Sequence, residues 1–232
     1  MRLSRTTRRV ILTALVLALA PPVCFVGWTS YTHNFHAIQP GQLYRSGQMP
    51  AGALSDTIHH YRIKTVLNLR GPNPEQAWYR SERDAALSAG ATLVDVSMSS
   101  CEWMSRAQLR AVVNLLDTGE RPILIHCQHG SERTGLVSAV AELLRPGVTL
   151  DDARGQLSLA YLYTNHGDGQ VMARHLDQYA DWLKSHGWTH SPDRFRLWAN
   201  DGFKPQRPCR EFWPYDPKPL MVVTRPTDAV KH

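Results

Sequence analysis

A cysteine and an arginine separated by five residues form the part of this 232-residue chain with the most specific chemistry. Cys127 follows the apolar segment 122–125, which has the composition of a short buried strand, and Arg133 begins a second apolar segment with the composition of a helix. A cysteine between a strand and a helix N-terminus is stabilised as a thiolate by the helix dipole and by oriented N–H groups. Because the thiolate is the nucleophilic form, this arrangement predicts that Cys127 is a catalytic nucleophile.

The residues between the cysteine and the arginine have the composition of an anion-binding loop. They are Gln128, His129, Gly130, Ser131 and Glu132. The backbone N–H groups of such a loop point inward at phosphoryl oxygens, and Gly130 permits the tight curl. Arg133, on the first helical turn, can bind two phosphate oxygens at once and stabilise the charge of a transition state. We therefore predict that residues 128–133 bind a phosphoryl group.

Two residues that flank this loop can support the cysteine. His126 can hold the loop in place by hydrogen bonding, and the Thr134 hydroxyl can donate to the sulfur of Cys127. A hydrogen bond to the sulfur eases its departure when a phosphorylated cysteine is hydrolysed. We therefore include His126 and Thr134 among the candidate catalytic residues.

The pattern His126-Cys127-x5-Arg133-Thr134-Gly135 resembles the signature of the cysteine-dependent protein tyrosine phosphatases. Segments 43–48 and 64–70 resemble those of atypical dual-specificity phosphatases of bacteria, including periplasmic ones, and of plants and fungi. The resemblance covers residues 38–185. It implies a two-step reaction through a cysteinyl-phosphate that needs no metal and no cofactor.

The resemblance also implies a general acid upstream of the cysteine, and the sequence offers two carboxylates for this role. The loop predicted at 97–104 contains one carboxylate, Glu102, which we take as the first candidate. Asp95 is the alternative, although it lies inside a predicted strand and could be structural. A third alternative is that neither Glu102 nor Asp95 acts as the general acid.

Strand patterns alternate with helix patterns along the chain. Strands are predicted at 42–46, 64–69, 91–98 and 122–126, and helices at 51–61, 75–88, 105–116, 134–144, 150–161 and 170–184. This alternation predicts an α/β fold with a central, mainly parallel sheet flanked by helices, and it places the Cys-x5-Arg loop between a strand and a helix. The predicted phosphatase domain spans 38–190. A Pro-, Trp- and Arg-rich C-terminal extension follows at 191–232, where residues from Pro205 onward are expected to wrap the domain as an extended tail or to be partly disordered.

The first 30 residues form a membrane-targeting segment. Residues 1–9 are basic, and residues 10–28 are mostly apolar over a length close to that of a bilayer span. We expect an uncleaved inner-membrane anchor whose basic end stays in the cytoplasm, with the catalytic domain in the periplasm. A signal peptide cleaved after Ala20 is the alternative.

Charge and cysteine content limit the remaining possibilities. The net charge is +6, and four arginines of the basic N-terminus supply much of it, so no nucleic-acid partner is expected. The four cysteines have no zinc-site spacing, so we expect no metal. A disulfide between Cys101 and Cys209 stays open in an oxidising compartment.

The predicted function is hydrolysis of phosphomonoesters through a cysteinyl-phosphate, with protein phosphotyrosine as the first substrate and dual specificity left open. Gln128, His129 and Glu132 stand where phosphatases of highly charged inositol phosphates carry lysines, which argues against a polyanionic substrate. Two alternatives stay open. One is a phosphatase of inositol phosphates, phospholipids or another small phosphomonoester, and the other is a catalytically inactive phosphate-binding module.

Overall fold

The computed structural model describes residues 5–206 and 220–226. The helices are α1 (Arg5–Tyr31), α2 (Ala51–Tyr61), α3 (Ala77–Ser88), α4 (Arg106–Thr118), α5 (Glu132–Leu143), α6 (Leu150–Arg154), α7 (Gln170–Ser185) and α8 (Pro192–Leu197). The strands are β1 (His36–Gln39), β2 (Leu43–Ser46), β3 (Thr65–Asn68), β4 (Thr92–Val96), β5 (Ile123–His126) and β6 (Met221–Thr224). Short 3₁₀ turns lie at Leu159–Tyr161 and Gly167–Gly169, and a π turn at Trp198–Gly202.

The strands form one sheet in the order β1-β2-β5-β3-β4-β6. The four inner strands are parallel, and β1 and β6 pair antiparallel at the two edges. The carboxyl ends of β2, β3 and β5 therefore meet at one edge of the sheet, where ligands bind in open α/β folds. Cys127 directly follows β5 at that edge. The predicted α/β fold with a mainly parallel central sheet is confirmed.

Side chains of the inner strands alternate between two cores. Leu124, Val66 and Leu93 pack under α2 and α3 on one face. Ile123, Leu67 and further residues pack under helices α4 to α8 on the other face. Helix α5 is buried along almost its whole length, as its continuous apolar composition predicts for a central helix. This helix carries Arg133, the arginine of the predicted phosphate loop (residues 128–133). The packing of the core therefore determines the position of Arg133.

Helix α4 begins at a capping box, in which Ser105 accepts from the backbone N–H of Gln108 and the Gln108 side chain accepts from Ser105 N–H. The cap satisfies two free donors of the first turn and determines where the preceding loop must end. The predicted loop 97–104 thus lies between β4 and this cap.

The helix predicted at 150–161 is interrupted, because α6 ends at Arg154 and a separate turn follows at 159–161. The carbonyl of Gln156 accepts a hydrogen bond from the guanidinium of Arg45 at 2.8 Å, and Leu157 packs against Gly135. The backbone of Gln156 is thus engaged by the core and does not continue the helix.

The core extends beyond the predicted 38–190 domain at both ends. Phe195, Trp198 and Phe203 are at most 1% exposed and belong to the core on the α5 side of the sheet. At the other end, Asn34 is 2% exposed. In the tail, residues 221–224 form β6 against β4, whereas Cys209 and its possible disulfide with Cys101 lie outside the described residues.

Helix α1 is exposed along most of its length and meets the rest of the fold at its C-terminal end. Its segment Ile11–Tyr31 has a mean hydropathy of 2.1, and within it only Thr29, near the end, is buried. By length and composition it could cross a membrane, and a signal sequence meets the same criteria.

Candidate active site

Cys127 lies 1% exposed at the carboxyl end of β5. Burial alone would raise the pKa of its thiol. The charge of Arg133, the Thr134 hydroxyl and the backbone N–H groups of Thr134 and Gly130 outweigh burial and lower the pKa of Cys127 below its ordinary value. The loop therefore favours the thiolate, which is the nucleophilic form.

Gly130 makes the tight turn of the loop possible. Its φ is 76°, in the left-handed region, and a Cβ at this position would lie 2.6 Å from the backbone nitrogen of Gly47. The loop thus packs directly against the end of β2, where Gln48 N–H also donates to the carbonyl of Gln128 at 3.1 Å. Gln128 and His129 are exposed at the loop surface.

Arg45 supports the loop from inside the protein, with its whole side chain buried. Its Nη2 donates to the carbonyl of Gly130 at 2.7 Å, and its Nη1 donates to the backbone and side-chain oxygens of Gln156 at 2.8 and 2.7 Å. The guanidinium also stacks on the ring of Tyr161 at 3.7 Å. Burial lowers the pKa of Arg45 to about 10, while the negative charge of Cys127 opposes that shift, so the residue stays charged at neutral pH.

Arg133 connects the phosphate loop to the loop after β4. Its Nη1 donates to the carbonyl of Met98 at 3.2 Å. Its Nε is buried and has no hydrogen-bond partner among the residues that the structure describes. A buried guanidinium donor without a partner is costly unless a ligand satisfies it, and a phosphate oxygen is the ligand that fits.

His126 pairs with Glu82 beneath the loop. Its Nε2 lies 3.4 Å from Oε1 of Glu82, and both side chains are almost fully buried. Burial alone would lower the pKa of His126, but the carboxylate of Glu82 raises it above the ordinary value. The Nδ1 of His126 lies 3.4 Å from the carbonyl of Cys127, so this pair contacts the backbone of Cys127.

Asp95 lies in β4 with both carboxylate oxygens engaged. Asn68 donates to one oxygen at 2.7 Å, and the Tyr79 hydroxyl donates to the other at 2.6 Å. The residue is 0% exposed, and burial raises its pKa to about 6. Asp95 therefore has no open path to a leaving group at the sheet edge.

Glu102 lies on the loop between β4 and α4 and is partly exposed. It lines a cavity of about 450 Å³ together with Met98, Trp103 and Gln108. Met98 also accepts a hydrogen bond from Arg133 through its carbonyl, which connects this loop to Arg133. Glu102 is thus the more accessible of the two candidate carboxylates.

Both ends of that loop are held in place. The Gln108 side chain donates to the carbonyl of Ser97, and the backbone N–H of Met104 donates to Nε2 of His175 at 3.0 Å. His175 in turn donates from Nδ1 to the carbonyl of Val171 at 2.7 Å, and burial lowers its pKa to about 4. It is therefore neutral at physiological pH, in the tautomer that leaves Nε2 free to accept.

A second cation lies near the loop. Arg70 follows β3, stacks on the ring of Trp78 at 3.6 Å and donates from Nη1 to the side chain of Gln48. Gln48 also donates from its N–H to the carbonyl of Gln128, so it connects Arg70 to the loop. Burial, and after it the charge of Arg133, lowers the pKa of Arg70.

The structure thus brings the predicted loop residues, His126 and Thr134 together around Cys127 and separates the two candidate acids. The sequence alone did not indicate the roles of Arg45, Glu82 and His175. Arg45 lies in segment 43–48, which carries part of the family resemblance, so the resemblance was the one feature that pointed to it. The pattern around Glu82 is typical of a helix surface, and the pattern around His175 is typical of a core-facing helix.

The chain is similar in structure to P. aeruginosa TpbA, solved as a cysteine-to-serine variant in complex with pTyr. The identity is 19%, the match covers 74% of this chain and 93% of that one, and the TM-score is 0.53. A second structure of P. aeruginosa TpbA gives 20% identity, coverage of 73% and 92%, and a TM-score of 0.52. The core catalytic domain of the S. cerevisiae PP-IP phosphatase SIW14, in complex with citrate, is 22% identical, with coverage of 66% and 92% and a TM-score of 0.49. The likeness to TpbA shows a shared fold.

Among curated protein sequences, none matches the chain significantly. A family model described as the tyrosine phosphatase family matches residues 27–200, a range that includes every strand from β1 to β5 and the whole phosphate loop. The resemblance drawn from the Cys-x5-Arg motif is therefore confirmed, and the chain belongs to the tyrosine phosphatase family.

Proposed function

We propose that this protein hydrolyses phosphomonoesters without a metal, through a phosphorylated Cys127. The observation that carries the proposal is the pairing of a thiol of lowered pKa with Arg133, whose buried Nε has no partner in the described residues. Attack on a phosphoryl group requires a nucleophile and a guanidinium with a free donor in the same anion-binding loop.

In the first step, the Cys127 thiolate attacks phosphorus, and the bond from phosphorus to the ester oxygen breaks. Arg133 and the loop N–H groups of 128–133 hold the phosphoryl oxygens, and Glu102 protonates the leaving oxygen. We assign this role to Glu102 because it lines an open cavity together with Met98, whose carbonyl accepts from Arg133, whereas Asp95 is enclosed.

In the second step, water attacks phosphorus and gives its proton to the Glu102 carboxylate. The phosphorus–sulfur bond breaks, phosphate leaves, and the sulfur returns as thiolate. The Thr134 hydroxyl stabilises that thiolate, in keeping with its contribution to the lowered pKa of Cys127. The His126–Glu82 pair and Arg45 position the loop in both steps.

Protein phosphotyrosine is the proposed substrate, with dual specificity as a further possibility. TpbA, whose fold this chain shares, is a protein solved with pTyr. The exposed residues of the loop, Gln128 and His129, add no fixed cation that would favour a polyanion. A phosphorylated lipid or inositol phosphate is the second candidate, favoured by the apolar helix α1 and by the cation Arg70, which reaches the loop through Gln48.

We further propose that α1 is an uncleaved anchor in the inner membrane and that the catalytic domain lies in the periplasm. The apolar and unburied surface of Ile11–Tyr31 supports an anchor, and the arginines before it support a cytoplasmic N-terminus. An exported protein that has lost its signal peptide is the alternative.

The deciding experiment measures hydrolysis of a small aryl phosphate by the full chain in detergent with a chelator present. Cys127→Ser should abolish turnover, and rapid quenching of the wild type should trap one phosphoryl group on Cys127. Parallel assays with phosphopeptides, inositol phosphates and phosphorylated lipids then rank the substrate classes. Phosphate binding without turnover in the wild type would show a binding module and refute the proposal.

A further inference from the structure

The end of helix α1 lies directly against the phosphate loop. The side-chain nitrogen of Asn34 donates to the carbonyl of His129 at 3.1 Å and to the carbonyl of Tyr161 at 3.0 Å. The N–H of Gly47, where β2 meets the loop, donates to the carbonyl of His33 at 2.7 Å. Three residues beyond the end of α1, the chain is thus bonded to the loop that surrounds Cys127.

The sheet topology requires this proximity. Strand β1 runs antiparallel to β2, so its first residue lies at the edge where β2 and β5 end and where Cys127 is located. Because β1 follows α1 closely, the end of α1 is brought to the catalytic edge of the sheet and not to the opposite one.

No flexible linker separates α1 from the domain. Asn34 N–H donates to the carbonyl of Thr29 at 2.7 Å, which closes the end of the helix, and Thr29 is 3% exposed. A cavity of about 200 Å³ lies between this helix end and the loop, lined by Thr29, His33, Gln48 and His129 among others. The direction of α1 is therefore coupled to the position of the catalytic loop.

Large apolar side chains are exposed at this junction. Trp28 and Tyr31, at the end of α1, are 66% and 79% exposed, and Leu159 is 69% exposed. Leu159 lies in the 159–161 turn, which Asn34 holds through the Tyr161 carbonyl. Trp and Tyr are enriched where a membrane-spanning helix leaves the bilayer, because their rings are stable at the headgroup level.

We propose that the face formed by residues 28–34, 128–130 and 158–162 rests on the headgroup layer of the bilayer that α1 crosses, so that the phosphate loop works at the membrane surface. We call it the membrane-proximal face. The occupant is the bilayer because the aromatic end of the apolar helix is part of the same face as the loop. The inference rests on the proposed retention of α1 and leaves the chemistry of Cys127 unchanged.

The test uses the full chain, one protomer per nanodisc of phosphatidylcholine and phosphatidylglycerol, with amide hydrogen exchange as the readout. A first variant carries a Gly/Ser spacer of about 15 residues after Gly27. This spacer lets the domain move roughly 20 Å away from the end of the apolar helix. Gly27 suits an insertion because a Cβ there would have no neighbour within 4 Å. A second variant, Leu159→Asp, is matched by Leu197→Asp, since Leu197 is also exposed but lies on α8.

Amides of 158–162 should exchange at least about threefold more slowly in nanodiscs than in the spacer variant. Leu159→Asp should remove that protection, and Leu197→Asp should retain it. Equal exchange with and without the spacer would refute the inference. It would also be refuted if the protein isolated from membranes proved to be cleaved before Gly27. Protection that appears only with two protomers per disc would show a protein interface instead and would also refute it.

Hydrolysis of a soluble aryl phosphate separates this inference from the proposed function. The spacer and both leucine variants should hydrolyse the soluble substrate at the wild-type rate, because none of the changes alters a residue of the catalytic machinery. Lack of turnover in every protein, with protection still present, would refute the phosphatase proposal alone.

Discussion

The guanidinium of Arg45 donates a 2.7 Å hydrogen bond to the carbonyl of Gly130, across 85 residues of sequence. The side chain is fully buried, and none of the ion pairs within the described residues includes it. A buried cation without a carboxylate partner is costly. Tyr161, and after it the negative charge of Cys127, opposes the lowered pKa of Arg45, so the thiolate helps to balance this buried cation.

Replacing Arg45 should therefore destabilise the thiolate form of Cys127 as well as the conformation of the loop. In Arg45→Met the pKa of Cys127 should rise, and kcat/KM for an aryl phosphate should fall by about 10- to 100-fold, since a charge-assisted hydrogen bond and a nearby positive charge are both lost. Arg45→Lys, which keeps the charge but not the two-pronged geometry, should shift the pKa less. The rate of alkylation by iodoacetamide as a function of pH measures that pKa. A folded Arg45→Met protein with the wild-type alkylation profile would contradict this role.

Thr134→Val should slow release of phosphate from the enzyme. The Thr134 hydroxyl lowers the pKa of Cys127, so its loss makes the thiolate a poorer leaving group in the second step. We expect an initial burst of aryl alcohol followed by a steady rate about tenfold lower, with phosphoenzyme accumulating. Ser138→Ala is the matched control, because Ser138 is another buried hydroxyl of α5 whose oxygen has no partner among the described residues. A similar burst in the control would assign the effect to packing.

Glu102→Gln should remove the basic limb of the pH–rate profile for kcat/KM. A general acid matters most when the leaving group is a strong base, so alkyl phosphates should lose about 100-fold or more and nitrophenyl phosphate much less. Glu120→Gln is the control, because Glu120 is exposed just before β5, at the opposite end of that strand from Cys127. An intact basic limb in Glu102→Gln would remove Glu102 from the mechanism.

Asp95 should affect stability more than catalysis. Burial raises its pKa from 3.8 to about 6, so the folded protein binds more protons than the unfolded chain between these values. The stability contributed by protonated Asp95 is therefore complete below pH 3.8 and is lost as pH rises to about 6, by up to about 3 kcal/mol. Urea unfolding of wild type and Asp95→Asn across this range should show a difference that changes with pH in that sense. A pH-independent difference would mean that the pKa of Asp95 is the same in the folded and the unfolded protein.

The strand, turn and helix around Cys127 were predictable because they are local. Cys127, Gly130 and Arg133 lie within one strand, turn and helix, and the tight turn and helix N-terminus that make an anion site depend on residues adjacent in sequence. Alternating strand and helix patterns likewise predicted the α/β architecture, since each pattern reflects burial of one face or stripe of its own element.

The structural role of Asp95 could not be predicted from the sequence pattern. The inner strands of a parallel sheet are covered on both faces, so their composition does not show which face a polar residue occupies. Asp95 lies on the face with Asn68 and Tyr79, and only the packing of α3 against the sheet brings Tyr79 to its carboxylate. The break after α6 has a similar cause, because the Gln156 backbone is engaged by Arg45 from another strand.

By itself the sequence determined the class of fold and the strand, turn and helix that carry Cys127 and Arg133, because each depends on short-range backbone geometry and on the periodicity of single elements. The tertiary structure decided which distant residues support the loop, namely Arg45, Glu82 and Asn34. It also decided that Asp95 is enclosed and that Glu102 is partly exposed. These relationships depend on which faces of separate strands and helices meet, and that is settled when the whole core packs together.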